Sequence, residues 1–235
     1  MLFRKKPDTP DIDDGDRPSP HRAKIGKRIV AKLARNPMVS RIESEKIDLF
    51  VRREFLSVEE CARMRAMIDA GAEPSKLFSG TEGPEYRTSH SCSVDREDPL
   101  IRAIDARIAG LMGVDQATGE TIQGQRYTTG QEYRHHWDYF PVNDTYWPHM
   151  RKLGGQRCWT AMIYLSDVDS GGETHFPYAG ILVPPAEGTI IAWNNLLPDG
   201  APNTDTLHAA LPVKAGTKYV VTKWFRERAS PAKYE

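Results

Sequence analysis

His136 and Asp138 stand two residues apart in Tyr133-Arg134-His135-His136-Trp137-Asp138, a stretch that reads as a β-strand. Side chains at i and i+2 of a strand share a face, so this imidazole and carboxylate can grip one ion together. Some seventy residues on, the strand-like Thr206-Leu207-His208-Ala209-Ala210 supplies a second histidine. Two imidazoles and one carboxylate, with the opposite face left open, suit a ferrous ion that activates dioxygen. His135 and His149 compete for the same role. Spacing decides against them, because only His136 shares a strand face with Asp138.

A fourth residue strengthens the assignment. In Lys218-Tyr219-Val220-Val221-Thr222-Lys223-Trp224, alternation puts Lys218, Val220, Thr222 and Trp224 on one face. A lysine sharing a face with Val and Trp must sit at a rim or meet an anion, since an unpaired buried ammonium is costly. No Asp or Glu in the neighbouring strand offers itself, and an exogenous carboxylate would satisfy it.

These residues need a frame. Residues 1–21 are rich in Pro, Asp and charge, which predicts disorder. From Arg22 to Arg35 runs a basic stretch with Ile25, Ile29, Val30 and Leu33 at helical spacing, read as a peripheral helix with a solvated basic face. The expected organisation is an N-terminal arm over 1–45 and one domain over 46–235, with helical support in 46–115 and a β core in 120–228. Ile47–Val51 reads as a strand. A capping box, Ser57-x-x-Glu60, then opens a helix with Cys61, Met64, Met67 and Ile68 on its buried stripe. A second helix starts at Pro99 and buries Leu100, Ile101, Ile104, Ile108 and Leu111. Beyond Gly113, β-like runs cover 121–128, 132–140, 158–166, 173–176, 181–183, 188–193, 205–213 and 218–226. Such spacing predicts a mainly β fold, a jelly roll behind two N-terminal helices.

The 235 residues carry 32 basic and 32 acidic side chains, so the chain as a whole advertises no nucleic-acid partner. Three scattered cysteines without CxxC spacing fit a reducing compartment. No signal peptide or membrane span is legible, and a cytoplasmic location is expected.

Several ordered motifs make the resemblance specific. They are Tyr127-x-x-Gly130-x-x-Tyr133-x-x-His136-x-Asp138, Thr160-x-x-x-Tyr164-Leu165-Ser166-Asp167-Val168 and Gly171-Gly172-Glu173-Thr174-x-Phe176-Pro177. Gly188-Thr189, His208-Ala209-Ala210-x-Pro212-Val213, Gly216-x-Lys218 and Lys223-Trp224 follow. From about Arg87 to Arg228 the chain resembles the 2-oxoglutarate- and Fe(II)-dependent dioxygenases of the prolyl 4-hydroxylase type. The resemblance implies a double-stranded β-helix core, iron held by His136, Asp138 and His208, and 2-oxoglutarate clasped by Lys218. It further implies hydrogen bonds from Tyr127 and Tyr164 to the cosubstrate, with Trp224 lining the pocket. O2 is consumed, succinate and CO2 are released, and ascorbate is the customary reductant.

The substrate signal is thinner. The long stretch 139–156 carries Tyr139, Phe140, Tyr146 and Trp147, against which an extended proline peptide could lie. Those aromatics could equally pack as a lid. Tyr86-Arg87-Thr88-Ser89 resembles the border of the peptide groove in this family, which points to peptidyl-proline. Hydroxylation of a free amino acid or small metabolite is the enzymatic alternative, and a non-catalytic jelly-roll binding module is the alternative of another class. Nucleic-acid demethylation is disfavoured, because the β region lacks a track of clustered Arg and interleaved aromatics.

Overall fold

Along β7 (Arg157–Tyr164) the side chains part between two interiors. Trp159, Ala161 and Ile163 join one apolar core, and Met162 and Tyr164 the other. β11 (Ile190–Asn194) divides likewise, with Ile190 and Ala192 against Ile191 and Trp193. Strands buried on both faces read as continuous apolar runs, and here they form the middle of a sandwich.

The computed structural model describes residues 15–75 and 85–230. Its larger sheet has eight strands. In order they are β1 (Ser40–Ile42), β2 (Leu49–Arg52), β11, β7, β14 (Lys218–Arg226), β5 (Gln123–Tyr127), β4 (His90–Ser93) and β3 (Glu73–Pro74). A four-stranded sheet, β10 (Ile181–Val183), β9 (Thr174–Phe176), β12 (His208–Ala210) and β6 (Tyr133–His136), faces it. The short pair β13 (Val213–Ala215) and β8 (Ser170–Gly171) completes the antiparallel set. Tyr127, Tyr164, Phe176, Trp193 and Val220 fill the space between the leaves. This is the expected jelly roll.

Three helices back the outer face of the large sheet. In α2 (Val58–Gly71) the Ser57 side chain accepts from Glu60 N while Glu60 accepts from Ser57 N, so the capping box forms as read. Cys61, Met64 and Ile68 are its buried stripe, with Met67 packed beside them. In α3 (Pro99–Met112) Asp98 caps the start, and Gly113 closes the end in the left-handed conformation that lacks a Cβ penalty.

The basic stretch forms the expected helix with Lys24, Lys27, Arg28 and Lys32 exposed, but it docks on the core rather than lying at the periphery. α1 (Pro20–Ala34) starts on Ser19 with Pro20 in its first turn, and buries Arg22, Gly26, Ile29 and Leu33. Ile29 and Leu33 belong to the main core, so residues 20–34 are part of the domain rather than an arm beside it. Each such side chain taken from water contributes roughly 1.5–3 kcal/mol. The disorder expected of residues 1–21 lies, for 1–14, outside the described residues.

Two expected strands are shorter than read. The 132–140 run pairs only as far as His136, and Asp138 sits in the bend beyond. The 205–213 run breaks into a 3-10 turn (Thr204–Thr206), then β12, then β13 after Pro212, which has no N–H for a ladder. The small strands β1, β3, β4 and β8 were not legible in the sequence.

Candidate metal and 2-oxoglutarate site

His136 and His208 are register partners across β6 and β12. Their ring centroids are 4.3 Å apart, the proximity that antiparallel partners allow. The Nδ1 of His136 lies 2.8 Å from the Arg134 carbonyl and that of His208 2.9 Å from the Thr206 carbonyl. A carbonyl only accepts, so both Nδ1 atoms carry the proton and both Nε2 lone pairs turn inward. Burial, followed by the neighbouring His208 ring, holds His136 well below the ordinary imidazole range. It is therefore the neutral base that a metal needs.

Asp138 reaches the same point by another route. Its strand has already ended, so the i and i+2 geometry expected from the sequence is not what brings it in. Thr160 of β7 does: its hydroxyl donates to Asp138 Oδ2 at 2.7 Å and itself accepts from Asn195 Nδ2 at 3.0 Å. Asp138 Oδ1 then lies 3.9 Å from His136 Nε2, and Oδ2 lies 3.7 Å from His208 Nε2. One donor atom from each residue falls within 4.8 Å of the others. Among the described residues no hydrogen-bond donor meets either Nε2 or Asp138 Oδ1. Three acceptor atoms without a donor, two imidazole nitrogens and one carboxylate oxygen, fit a divalent ion with a mixed N/O preference.

Lys218 opens into the same cavity, which encloses about 650 Å³. It is 1% exposed and has no hydrogen bond or ion pair among the described residues. Burial pulls its ammonium down to about 7, opposed by the charge of Glu173. Its Nζ lies 5.4 Å from the Tyr127 ring centroid and 5.7 Å from that of Tyr164. Val220, Thr222 and Trp224 follow it along the cavity wall, so the alternation read in the last strand holds.

The aromatic candidates separate. Tyr127 lines the cavity, and its hydroxyl donates to Gln125 Oε1 at 2.9 Å. Tyr164 is not among the lining residues. It sits behind Lys218 with its hydroxyl donated to Thr174 Oγ1 at 2.7 Å, so its proton is not aimed at the cavity. Trp224 lines the cavity six residues from Lys218, roughly 20 Å along the strand. The two cannot both hold one end of a five-carbon acid. Instead Trp224 lies under the Arg157 guanidinium, 4.1 Å from it. Arg157 makes paired bonds of 2.6 and 2.7 Å to Glu120, and Arg226 adds another at 2.7 Å. These cations hold the Glu120 carboxyl below its usual range against the opposing effect of burial.

Sequence reasoning gave no role to Thr160, Asn195 or the Glu120–Arg157–Arg226 cluster. A signal for the first was present, since Thr160 is the polar residue on the inward line of β7 with Met162 and Tyr164.

A family model of the 2OG-Fe(II) oxygenase superfamily matches residues 122–226. Prolyl 4-hydroxylase 1 of Arabidopsis thaliana is 34% identical over 202 residues, covering 77% of this chain and 70% of that protein. The chain belongs to the prolyl 4-hydroxylase family of 2OG-Fe(II) oxygenases. Prolyl 4-hydroxylase subunit alpha-1 of Gallus gallus is 36% identical over 186 residues. The match takes in 77% of this chain, which spans only 35% of that longer subunit. Among solved structures, a viral collagen prolyl hydroxylase from Paramecium Bursaria Chlorella virus-1, in a 2OG complex, superposes with a TM-score of 0.58 at 29% identity. It covers 76% of this chain and 95% of its own. A Trichoplax adhaerens prolyl hydroxylase in complex with a hypoxia inducible factor peptide shares the fold, with a TM-score of 0.58 at 14% identity over 88% and 90% of the two chains. The cofactors of the family are Fe(II), 2-oxoglutarate and O2, with ascorbate as reductant.

Proposed function

We propose that the chain hydroxylates a proline residue within a peptide or protein, releasing succinate and CO2 from 2-oxoglutarate. One observation carries this reading. Three acceptor atoms without donors, from His136, Asp138 and His208, share a cavity with a buried ammonium that makes no hydrogen bond or ion pair among the described residues.

His136, Asp138 and His208 would hold the ferrous ion, and Lys218 the distal carboxylate of 2-oxoglutarate. When bound, the ion and cosubstrate supply the oxidising power for an unactivated C–H bond. The protein contributes position. The Arg134 and Thr206 carbonyls fix both imidazoles in one tautomer, and Thr160 fixes the carboxylate. Lys218 would exchange a buried charge without a direct partner for an ion pair when a carboxylate arrives. Met162 and Val220 keep the intervening wall dry.

Tyr139, Phe140, Tyr146, Tyr86 and Arg87 also line the cavity. Aromatic walls suit an extended proline-containing segment, whose preformed shape lowers the entropy of docking. The peptide bound by the Trichoplax adhaerens relative supports a peptide substrate here. Three free thiols, two of them buried, support a reducing compartment such as the cytoplasm. Among the described residues no helix is long and apolar enough to cross a membrane.

The test is incubation of a proline-peptide library with the chain, Fe(II), 2-oxoglutarate, O2 and ascorbate. A one-oxygen mass gain on proline, matched mole for mole by succinate, is expected. Succinate release driven by a free amino acid and not by any peptide would overturn the substrate assignment.

A further inference from the structure

β6 carries a bulge. His136 pairs with His208 of β12, yet Tyr133 pairs with Ala210, so Arg134 and His135 together oppose Ala209. Tyr133 and His136 both line the cavity, and the extra residue leaves His135 on the outer face of the sheet. His175 of β9 reaches that face by plain alternation, because Thr174 and Phe176 on either side of it are buried inside. Ala209 is the register partner of His175 and stands between the two histidines. It is only 3% exposed although it belongs to the outer face. A methyl group at that position leaves room for rings from the two flanking strands to meet.

The rings do meet. His135 Nε2 lies 3.5 Å from His175 Nδ1, with the ring centroids 5.6 Å apart and the planes at 67°. That separation is beyond the roughly 2.7–3.2 Å of a well-formed hydrogen bond. It suits a shared ion better. Two zinc–imidazole bonds of about 2.0–2.1 Å at a tetrahedral angle put their nitrogens roughly 3.4 Å apart. A square-planar ion would draw them to about 2.9 Å. His135 is exposed, so an ion can enter from solvent.

We propose that His135 and His175 form a second metal site, for a tetrahedral divalent ion of the zinc type, on the back of the sheet whose inner face carries the triad. Among the described residues the triad is the only group of three or more His, Cys, Asp or Glu side chains in ligating range. The remaining positions on the second ion therefore fall to water. The inference goes beyond the proposed hydroxylation and does not depend on the substrate. An ion at this place staples β6 to β9 across β12, and so steadies from behind the strands that carry His136 and His208.

The experiment is metal analysis of the full chain, loaded with Fe(II) and 2-oxoglutarate without air and then dialysed against zinc. One zinc fewer per chain is expected in His175→Ala and in His135→Ala than in the unsubstituted protein, with the same iron content in all three. Chemical modification of the unsubstituted protein provides a readout that needs no variant to fold. At zinc tenfold above half-saturation, carbethoxylation of His135 and His175 should slow about tenfold, since only about a tenth of the sites stay vacant. The exposed His149 should react as before. Equal zinc in the three chains overturns the inference. Zinc gained only as iron is lost overturns it too, because the ion has then entered the triad. Undiminished carbethoxylation of His135 and His175 overturns it whatever the variants do.

Discussion

His136 and His208 are held by the same device: each ring gives its Nδ1 proton to the carbonyl two residues before it, Arg134 in one case and Thr206 in the other. Because the two residues are also paired across β6 and β12, the clamps aim both Nε2 atoms at one spot. Orientation is therefore built into the backbone before any ion arrives.

Removal of one ring should abolish the site. His208→Ala is expected to lose ferrous binding and to reduce 2-oxoglutarate decarboxylation to background, read by metal analysis and succinate release. Decarboxylation at the original rate would exclude His208 as a ligand.

The hydroxyl behind Asp138 should matter nearly as much. Thr160→Val keeps shape but removes the 2.7 Å hydrogen bond to the carboxylate. A loss of about 10–100-fold in Fe(II) affinity is expected for such a supporting contact, measured by ferrous titration with circular dichroism unchanged. Unaltered affinity would show that Asp138 is positioned without it.

Lys218 gives a pH signature. Its folded value, about 7, lies below the ordinary lysine value of 10.5, with Glu173 as the counter-charge that acts on it. Between those limits the unfolded chain binds more protons, so stability rises with pH. Below about 7 both states are charged and the burial penalty is constant. The slope from this group approaches ~1.4 kcal/mol per pH unit inside the window. Lys218→Met should remove it in denaturation curves taken between pH 7 and 10. It should also raise the KM for 2-oxoglutarate at least tenfold, with little change in metal affinity. In the unaltered protein, affinity for the cosubstrate should weaken as pH climbs above 7, because the ammonium must first be reprotonated.

Leu33→Ala tests whether the basic helix belongs to the domain. Leu33 is 1% exposed in the main core, and a buried Leu truncated to Ala costs about 2–5 kcal/mol. A loss in that range on denaturant unfolding is expected, whereas an arm independent of the core would show almost none.

The sequence disclosed strands well where patterning was strong. Most of the β-like runs fall on observed strands, because two-faced burial leaves long apolar stretches between turn residues. Helix ends were equally legible, since Ser57, Glu60, Pro99 and Gly113 act through their own backbone neighbours. What stayed hidden depended on contacts distant along the chain. Asp138 shares no strand face with His136; a threonine of another sheet turns it inward. The tyrosines show the same limit, for alternation sets the interior line of Tyr164 but not the neighbour that takes its proton, Thr174. Helical spacing likewise marked Ile29 and Leu33 but not the core on which they dock.

The two imidazoles come from the four-stranded leaf, while the carboxylate is moored through Thr160 to the eight-stranded one. An ion gripped by all three would rivet leaf to leaf. Chelation should then lower the melting temperature as well as stop turnover, and the temperature at which the sandwich opens would report how much of a sample carries its iron.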